Sequence, residues 1–251
     1  MNETKIALVT GASRPQGLGF AVARELAVRG HHVVLAGRDL DRTRALAARL
    51  AADGLTADAV RLDVTVAADV VACAEFVRAT AGRLDVLVNN AAAMPDFTTL
   101  SLLDADTTEA RVAYDVDVLG AWALVRACLP LLRAAPAARI VNVSSAAAAQ
   151  IAAGTDLGGG VRAPGYALAK YALNALTASL AGELRGTGIL VNAVDPGSVA
   201  THPERGDDAD DRSPAEAAIG VVWAATLPAG GPTGGFFLDG RPAPEVARPS
   251  Q

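Results

Sequence analysis

Short runs of apolar, often β-branched residues alternate along the chain with longer segments in which apolar residues recur every three or four positions. The short runs predict seven strands, at 6–10, 32–36, 59–64, 85–90, 139–144, 189–194 and 235–240. The longer segments predict amphipathic helices, as in LGFAVARELAVRG, where Leu18, Val22 and Leu26 share one face. The strands are apolar almost throughout, which is typical of parallel strands covered by helices on both faces. The pattern therefore predicts an α/β fold, a Rossmann-type doubly wound parallel sheet of about seven strands with helices on both faces.

Two segments interrupt this alternation. A Gly/Ala-rich insert at 146–165 follows the fifth strand, and a polar, acidic segment at 202–214 follows the sixth and is expected to be mobile. Ligands bind at the carboxyl ends of the strands in a doubly wound sheet, and both segments leave from those ends. We expect them to wall a substrate cleft, although solvated surface loops are the alternative. No linker or repeat divides the chain, so residues 1–251 are expected to form a single domain.

The composition narrows the class of protein. Of the 251 residues, 51% are hydrophobic and 20% are charged, which is typical of a globular protein with a large core. The net charge of −5 argues against nucleic acid or an anionic membrane surface as the main partner. Cys73 and Cys128 lie in helical patterns and are expected to be reduced core thiols, with no metal site. No long apolar run or signal peptide is evident, so a cytoplasmic protein is expected.

The stretch TGASRPQGLG (10–19) follows the first strand and opens the first helix. A turn of this kind directs backbone N–H groups and the positive end of a helix at a phosphate. Gly11 permits a tight turn, and Gly17 and Gly19 permit close approach of a ligand and close packing of the helix. The alternative is that these glycines only shape a turn.

The end of the second strand indicates which dinucleotide is bound. An Asp or Glu there would bind the ribose 2′-hydroxyl of NAD, but this chain has Gly37 followed by Arg38, and Arg14 lies in the glycine turn. Two guanidinium groups and no carboxylate favour a 2′-phosphate, and hence NADPH/NADP as the cofactor. The alternative is that both arginines are ordinary surface charges.

The stretch YALAK places Tyr166 and Lys170 on one face of a helix. An ammonium beside a phenol stabilises the phenolate, which makes the tyrosine a usable acid or base near neutral pH. Ser144 and Ser145 end the fifth strand, where a hydroxyl can hydrogen-bond a carbonyl oxygen. Tyr-x-x-x-Lys alone commonly marks an exposed helix face, but with a dinucleotide turn and a strand-end serine the combination is specific.

These motifs together resemble the classical short-chain dehydrogenase/reductase family over nearly the whole chain, and its carbonyl-reductase-like branch near the carboxyl end. The matching landmarks are TGASR…GLG (10–19), LDV (62–64), NNAA (89–92), VNVSS (141–145), YALAK with LNAL (166–176) and VDPGSVAT (194–201). The resemblance implies a Rossmann fold, an NADP-dependent oxidoreductase activity and a homo-oligomer.

The resemblance also implies roles for individual residues. Cofactor contacts are implied for Gly11, Ser13, Arg14, Gly17, Leu18, Gly19, Arg38, Asp63, Val64, Asn89, Ala91, Tyr166, Lys170, Pro196, Gly197, Val199 and Thr201. Among these, Asp63 and Val64 would contact the adenine, and Asn89 the strand backbone and a ribose. In catalysis, Ser145 would position the substrate carbonyl and Tyr166 would donate the proton. Lys170 would bind the nicotinamide ribose and tune Tyr166.

The chain departs from the family pattern in three places. The glycine turn has two additional residues, near Pro15 and Gln16, which either carry Arg14 outward along the adenosine phosphate or form a harmless surface insertion. Asp117, in DVDVLG, stands where the family has a catalytic asparagine whose backbone carbonyl holds a water in a proton relay. Asp117 keeps that carbonyl, and its carboxylate can pair with Lys170, or it is only a helix residue. Ser145 and Tyr166 are 21 positions apart, which is longer than in short family members.

These observations predict reduction of a ketone or aldehyde to an alcohol with NADPH, with an apolar or aromatic substrate from secondary metabolism. Two alternatives remain open: a non-redox enzyme of the dehydratase or cyclase type on the same scaffold, and a non-catalytic NADP-binding module. His202 follows the PGSVAT segment and either faces substrate or is a polar loop residue. The helix after Tyr166 keeps an apolar face, which predicts a homodimer or homotetramer.

Overall fold

A single eight-stranded sheet organises the protein, as seen in a computed structural model that describes residues 4–153, 162–201 and 211–243. Its spatial order is β3-β2-β1-β4-β5-β6-β7-β8. The strands are β1 (Ile6–Thr10), β2 (His32–Gly37), β3 (Ala57–Arg61), β4 (Val86–Asn89), β5 (Arg139–Val143), β6 (Leu190–Asp195), β7 (Phe236–Leu238) and β8 (Arg241–Pro242). The first seven are parallel, and β8 runs antiparallel to β7. The predicted doubly wound α/β fold is therefore confirmed, with one additional short strand.

Helices cover both faces of this sheet. They are α1 (Leu18–Val28), α2 (Leu40–Ala52), α3 (Ala67–Ala81), α4 (Thr107–Tyr114), a π-helical segment (Asp115–Gly120), α5 (Ala121–Ala134), α6 (Ala146–Ala153), α7 (Pro164–Glu183) and α8 (Pro214–Ala225). Side chains alternate between the two faces along each strand, so Leu8 of β1 joins the core with α3, α5 and α7, and Val9 joins the core with α1, α2 and α8. β1 and β4 are adjacent, but the chain continues from β1 to β2 on one side and from β4 to β5 on the other. Their carboxyl ends therefore form the switch point where such sheets bind ligands.

Most predicted strands agree with the structure to within one residue at each end, but β3 and β7 depart further, each because of local hydrogen bonding or backbone shape. β3 begins at Ala57 and ends at Arg61 instead of spanning 59–64, because the Asp63 amide donates to the Asp69 carboxylate and leaves the ladder. β7 ends at Leu238 because Asp239 and Gly240 both have positive φ and turn the chain into β8.

The two irregular segments are more ordered at their described ends than the sequence predicts. The first part of 146–165 forms α6, in keeping with the high helix propensity of alanine, and α7 already begins at Pro164. In 202–214, Arg212 exchanges backbone hydrogen bonds with the segment after β6, and Ser213 caps α8. The remainder of both segments, 154–161 and 202–210 with His202, lies outside the described residues.

The two cysteines occupy the core, as predicted. Cys73 of α3 and Cys128 of α5 are free and buried in the same apolar cluster. Burial raises the pKa of each thiol to about 12, so both stay protonated at neutral pH. Within the described ranges, no three His, Cys, Asp or Glu side chains are grouped as metal ligands would be. No helix in the same ranges has the length and apolar character needed to cross a bilayer.

Candidate active site

The glycine turn between β1 and α1 packs tightly against the end of β4. Gly11 has φ +66°, and a Cβ added there would lie 2.9 Å from Ala91 Cα. A Cβ on Gly19 would lie 2.5 Å from Asn90 Nδ2 and 2.7 Å from the Gly11 carbonyl oxygen. Both positions therefore require glycine because the chain itself, with Asn90 at its centre, fills the space that a side chain would need.

Asn90 performs the structural role that the resemblance implied for Asn89. Its Nδ2 donates to the carbonyl oxygen of Thr10 at 2.8 Å, and its backbone amide donates to the Thr10 hydroxyl oxygen at 2.9 Å. Asn89 instead donates from Nδ2 to Asn142 Oδ1 at 2.8 Å, while Asn142 donates to Thr177 Oγ1. The expectation that Asn89 holds the strand backbone is therefore wrong, and its side chain joins β4, β5 and α7. Its buried Oδ1 has no hydrogen-bond partner among the described residues.

The amino end of α1 has the properties of a phosphate site. No side chain caps the helix at Gly17, and its first turn carries no acidic residue. The amides of a first helical turn have no partner within the helix, and the helix dipole makes this end positive. Leu18 is buried and holds the turn against the core. The residues present therefore fit the pyrophosphate of a dinucleotide.

Arg14 does not extend outward along the adenosine end, as the widened turn suggested. Its Nη2 donates to the carbonyl oxygen of Thr201 at 2.6 Å, which connects the glycine turn to the segment after β6. The two additional residues, Pro15 and Gln16, line a surface pocket of about 370 Å³ on the outer side of the turn. The widening thus directs Arg14 across the cleft.

The end of β2 leaves no space for an acidic side chain. A Cβ on Gly37 would lie 2.9 Å from both Ser13 Cβ and Thr43 Oγ1. Arg38 follows and is exposed. Hydrogen bonds from Thr65 are the main influence that lowers the pKa of Asp63, and the charge of Arg38 adds to it, so Arg38 and Asp63 lie near one another. Val64 is buried, and its Cγ2 would lie 2.6 Å from a Cβ on Gly120, so its side chain packs on the π-helical segment.

The predicted catalytic residues meet at the carboxyl edge of the sheet. Tyr166 and Lys170 lie on α7, with the Lys170 Nζ 5.4 Å from the centre of the Tyr166 ring. Lys170 is 2% exposed, and its Nζ donates to the carbonyl oxygen of Val143 at 2.8 Å. Ser145 follows β5 and its hydroxyl accepts the Ala147 amide at the start of α6. The geometry thus gathers a hydroxyl, a phenol and an ammonium at one point.

Asp117 belongs to the same cluster. Its Oδ2 lies 3.5 Å from the Lys170 Nζ, and its Oδ1 accepts the Ala93 amide at 2.8 Å. Burial raises the pKa of the carboxyl group, and the positive charge of Lys170 opposes that rise. The pairing with Lys170, which the sequence left open, is present.

Competing influences act on the Tyr166 phenol. Burial is the largest and raises its pKa, the charge of Lys170 lowers it, and the charge of Asp117 raises it again. The Ser145 hydroxyl lowers the pKa, and Asp195 at the end of β6 raises it slightly. The net result is a phenol whose pKa lies above its ordinary value, so the group is protonated at neutral pH and can act as an acid.

Sequence reasoning missed Asp96, which holds the start of α7, the helix that carries Tyr166. This buried carboxylate accepts the Gly165 amide at 2.5 Å and the Tyr166 amide at 3.4 Å through the same oxygen, Oδ2. A Cβ on Gly165 would lie 2.8 Å from Ala110 Cα, so α7 begins in close contact with α4. The contact spans 69 positions, and no local motif in MPDF signals it.

Arg212 was also missed. It contacts the segment that the resemblance placed over the nicotinamide, 196–201. The Arg212 backbone bonds Ser198 and Ala200, and its guanidinium donates to the Pro196 carbonyl and to Asp239. Gly197 has φ +76°, and a Cβ there would lie 3.1 Å from Arg212 Cδ. The structure therefore orders this segment between Arg14 on one side and Arg212 on the other.

Comparison with known proteins identifies relatives along most of the chain. The family described as "short chain dehydrogenase" matches residues 5–211. A Streptomyces virginiae protein named as the ketoacyl reductase of monensin polyketide synthase is 38% identical over 200 residues, covering 79% of this chain and 72% of that protein. The trans-4-hydroxycyclohexanecarboxylate dehydrogenase of Sinomonas cyclohexanicum is 37% identical over 203 residues, covering 78% and 73%.

Solved structures share the fold. A metagenomic short-chain oxidoreductase in complex with NADP is 31% identical with a TM-score of 0.74, covering 95% of this chain and 97% of that chain. A single-site variant of actinorhodin polyketide ketoreductase with NADPH is 26% identical with a TM-score of 0.80, covering 94% and 95%. With a family match over most of its length and the same fold, the chain belongs to the short-chain dehydrogenase family of oxidoreductases.

Proposed function

We propose that this protein is an NADPH-dependent carbonyl reductase that converts an apolar or aromatic ketone or aldehyde into an alcohol in secondary metabolism. The observation that carries the proposal is the meeting of Ser145, Tyr166 and the buried Lys170 at the carboxyl edge of the sheet. A relative named as a polyketide ketoacyl reductase, and a neighbouring structure of a polyketide ketoreductase with NADPH, support ketone reduction.

The residues of the cluster divide the chemistry. The Ser145 hydroxyl and the Tyr166 phenol would both hydrogen-bond the substrate carbonyl oxygen, which orients the substrate and stabilises negative charge on that oxygen. Tyr166 would then transfer its phenolic proton to the oxygen as the alcohol forms. Lys170, held by the Val143 carbonyl, stabilises the phenolate left behind and so makes this transfer possible near neutral pH.

Residues from several elements at the carboxyl edge of the sheet would hold NADPH. The uncapped end of α1 would bind the pyrophosphate, Arg38 the 2′-phosphate, Asp63 the adenosine end, and Lys170 the nicotinamide ribose. When bound, the nicotinamide supplies a hydride to the carbonyl carbon. The crowding around Gly37 supports NADP over NAD, because the position that carries a ribose-binding carboxylate in NAD enzymes has no space for one.

Substrate choice is proposed to depend on the two segments at 146–165 and 202–214, as walls of the cleft in a single domain over residues 1–251. The start of α6 supports this role, because Ser145 caps it and its Ala-rich sequence follows directly on the catalytic serine. A wall of this composition favours an apolar or aromatic substrate over a charged one.

The test measures loss of nicotinamide absorbance by the purified full-length protein with NADPH or NADH and a panel of aromatic and aliphatic ketones. We expect turnover with NADPH, much less with NADH, and none for Tyr166→Phe. Tyr171→Phe is the matched control, because Tyr171 is an exposed tyrosine on the same helix. NADPH binding without turnover of any carbonyl would contradict the proposal, and product analysis would then distinguish a non-redox enzyme from a binding module.

A further inference from the structure

Asp117 and Lys170 form a fully buried charge pair behind the catalytic tyrosine. The Asp117 side chain is 0% exposed and that of Lys170 is 2% exposed. Asp117 Oδ1 is occupied by the Ala93 amide, and Oδ2 faces the ammonium at 3.5 Å without a hydrogen-bond partner among the described residues. This distance is longer than an ordinary N–H···O hydrogen bond, so the contact is mainly a charge interaction in a site without water-exposed surface.

The π-helical segment brings this carboxylate to the site. Asp115–Gly120 continues directly from α4 into α5, and within it Asp117 is buried while Asp115 is only half-buried. Gly120 fixes the register of the segment, since any side chain there would overlap Val64. Single π-helical turns inside helices are frequent at functional sites. The segment thus presents one of its two carboxylates to α7.

We propose that Asp117 is a positioning residue that, together with the Val143 carbonyl, holds the Lys170 ammonium and balances its charge, so that Tyr166 serves carbonyl reduction at alkaline pH. The proposal deepens the proposed function and rests on it for the reaction. It concerns the carboxylate of this chain, which stands where the family it resembles has a neutral asparagine.

The charges around the tyrosine determine the direction of the effect. The groups that act on the Tyr166 phenol are Lys170 on its own helix, Asp117 on the π-helical segment, Asp195 at the end of β6, and the neutral hydroxyl of Ser145. Burial is the largest single influence on Lys170 and lowers the pKa of its ammonium, but Asp117 and the Tyr166 phenol together raise that pKa above its usual value. Removing the charge of Asp117 would leave the Lys170 cation less balanced, which would favour the phenolate and lower the pKa of Tyr166.

The pH dependence follows from the proton balance. In reduction, Tyr166 must carry the proton that it transfers to the substrate oxygen, so the rate falls as pH rises through the pKa of the phenol. In alcohol oxidation, the phenolate must accept that proton, so the rate falls as pH drops through the same value. A lower pKa would therefore narrow the alkaline range of reduction and extend oxidation to lower pH.

The experiment compares Asp117→Asn with the wild-type protein in pH–rate profiles for both directions, and Asp115→Asn serves as the control. Asp115 lies two residues away in the same segment and its removal changes the net charge equally. We expect Asp117→Asn to shift the limiting pH of both reactions downward by about one unit, as expected for loss of a buried charge near the phenol. The control is expected to keep the wild-type profile.

A second readout needs neither cofactor nor substrate. Ultraviolet titration of the cofactor-free protein, with Tyr166→Phe subtracted to isolate the Tyr166 signal, measures the phenol directly. We expect Tyr166 of the wild-type protein to titrate at a higher pH than a free tyrosine does. In Asp117→Asn, Tyr166 is expected to titrate at a lower pH than in the wild type. If no carbonyl substrate is ever found, this titration still tests the charge balance, so the two proposals can fail separately.

The inference would be overturned by a titration and profile in Asp117→Asn that match the wild type, or by a shift to higher pH. If the asparagine variant does not fold, Asp117→Ser removes the same charge with a smaller side chain. A wild-type Tyr166 that titrates well below the value for free tyrosine would contradict the proposal without any variant.

Discussion

The guanidinium of Arg14 donates to the carbonyl oxygen of Thr201 across the mouth of the cofactor cleft, at a distance of 2.6 Å. The two residues are 187 positions apart, and the contact joins the widened glycine turn to the segment that follows β6. On its far side, the same segment is held by the backbone and side chain of Arg212. The widened turn is thus hydrogen-bonded to the segment after β6, and this contact would lie beside a bound dinucleotide.

Replacing Arg14 by glutamine is expected to weaken NADPH binding. A hydrogen bond from a charged group contributes about 1.5–3 kcal/mol, and its loss would raise the NADPH dissociation constant by roughly ten- to a hundredfold. Arg24→Gln is the control, because Arg24 is exposed on α1 and its loss changes the net charge equally. Fluorescence titration of NADPH measures the constants. If NADPH binding is weakened equally in both variants, the effect comes from the loss of positive charge in general and not from the contact of Arg14 with Thr201.

Arg38→Gln is expected to reduce the preference for NADPH over NADH. Arg38 is exposed beside Asp63 at the end of β2, where a 2′-phosphate would lie. Loss of one guanidinium–phosphate contact is expected to raise the KM for NADPH roughly tenfold and to leave the KM for NADH unchanged. Steady-state kinetics with both cofactors measures this difference, with the exposed Arg44→Gln on α2 as the control. An equal change for both cofactors would show that Arg38 does not read the 2′-phosphate.

The buried thiols are expected to resist chemical modification in the folded protein. Burial raises the pKa of Cys73 and Cys128 to about 12, so the reactive thiolate is scarce at neutral pH and the reagent has no access. A colourimetric thiol reagent should therefore react only as fast as the protein opens, and fully in denaturant. Rapid labelling of one thiol in native buffer would show that its helix opens locally.

Hydrophobic periodicity was sufficient to predict the sheet, because parallel strands buried on both faces are apolar throughout and the helices show one apolar face. It could not place the end of β3, since that end depends on the Asp69 carboxylate capturing the Asp63 amide from the next helix. It also could not separate α6 from the loop at 146–165, because alanine and glycine runs suit both.

Site residues that belong to a short sequence motif were predicted. Site residues whose partners are distant in the sequence were not. Tyr166 and Lys170 are four positions apart on one helix, so sequence spacing alone placed them together. Asp96 meets Gly165 only after β4 and α7 pack at the same edge, and Arg14 reaches Thr201 only across the closed sheet. Asn90 and Asn89 are neighbours with the same side chain, and only the backbone direction at the end of β4 decides which one holds the glycine turn.

The exposed apolar residues of neighbouring helices are expected to form the interface of a homodimer or homotetramer. They are Val112 on α4, Leu119 on the π-helical segment, Trp122 on α5, and Leu168 and Tyr171 on α7, each between 42% and 47% exposed. Covering them with a second copy would remove apolar area from water on both chains. Tyr171→Glu should dissociate the assembly in sedimentation velocity, whereas Ile219→Glu on α8, an apolar side chain that is 60% exposed, should not. A monomeric wild type would refute this assignment.

Asp96→Ala is expected to lower both stability and turnover, because its carboxylate accepts the first amides of α7, the helix that carries the proposed proton donor Tyr166. Loss of a helix cap costs about 1–2 kcal/mol, and each kcal/mol lowers Tm by about 2–4 °C in a protein of this size. The freed amides include that of Tyr166, so kcat should fall more than KM rises. Asp106→Ala removes the corresponding cap of α4, where the carboxylate accepts the Thr108 amide at 2.7 Å, and provides the control for stability alone. Calorimetry and steady-state kinetics on both variants separate the two effects. If Asp106→Ala lowers Tm and kcat as much as Asp96→Ala does, the Asp96 carboxylate contributes only to stability and does not position Tyr166.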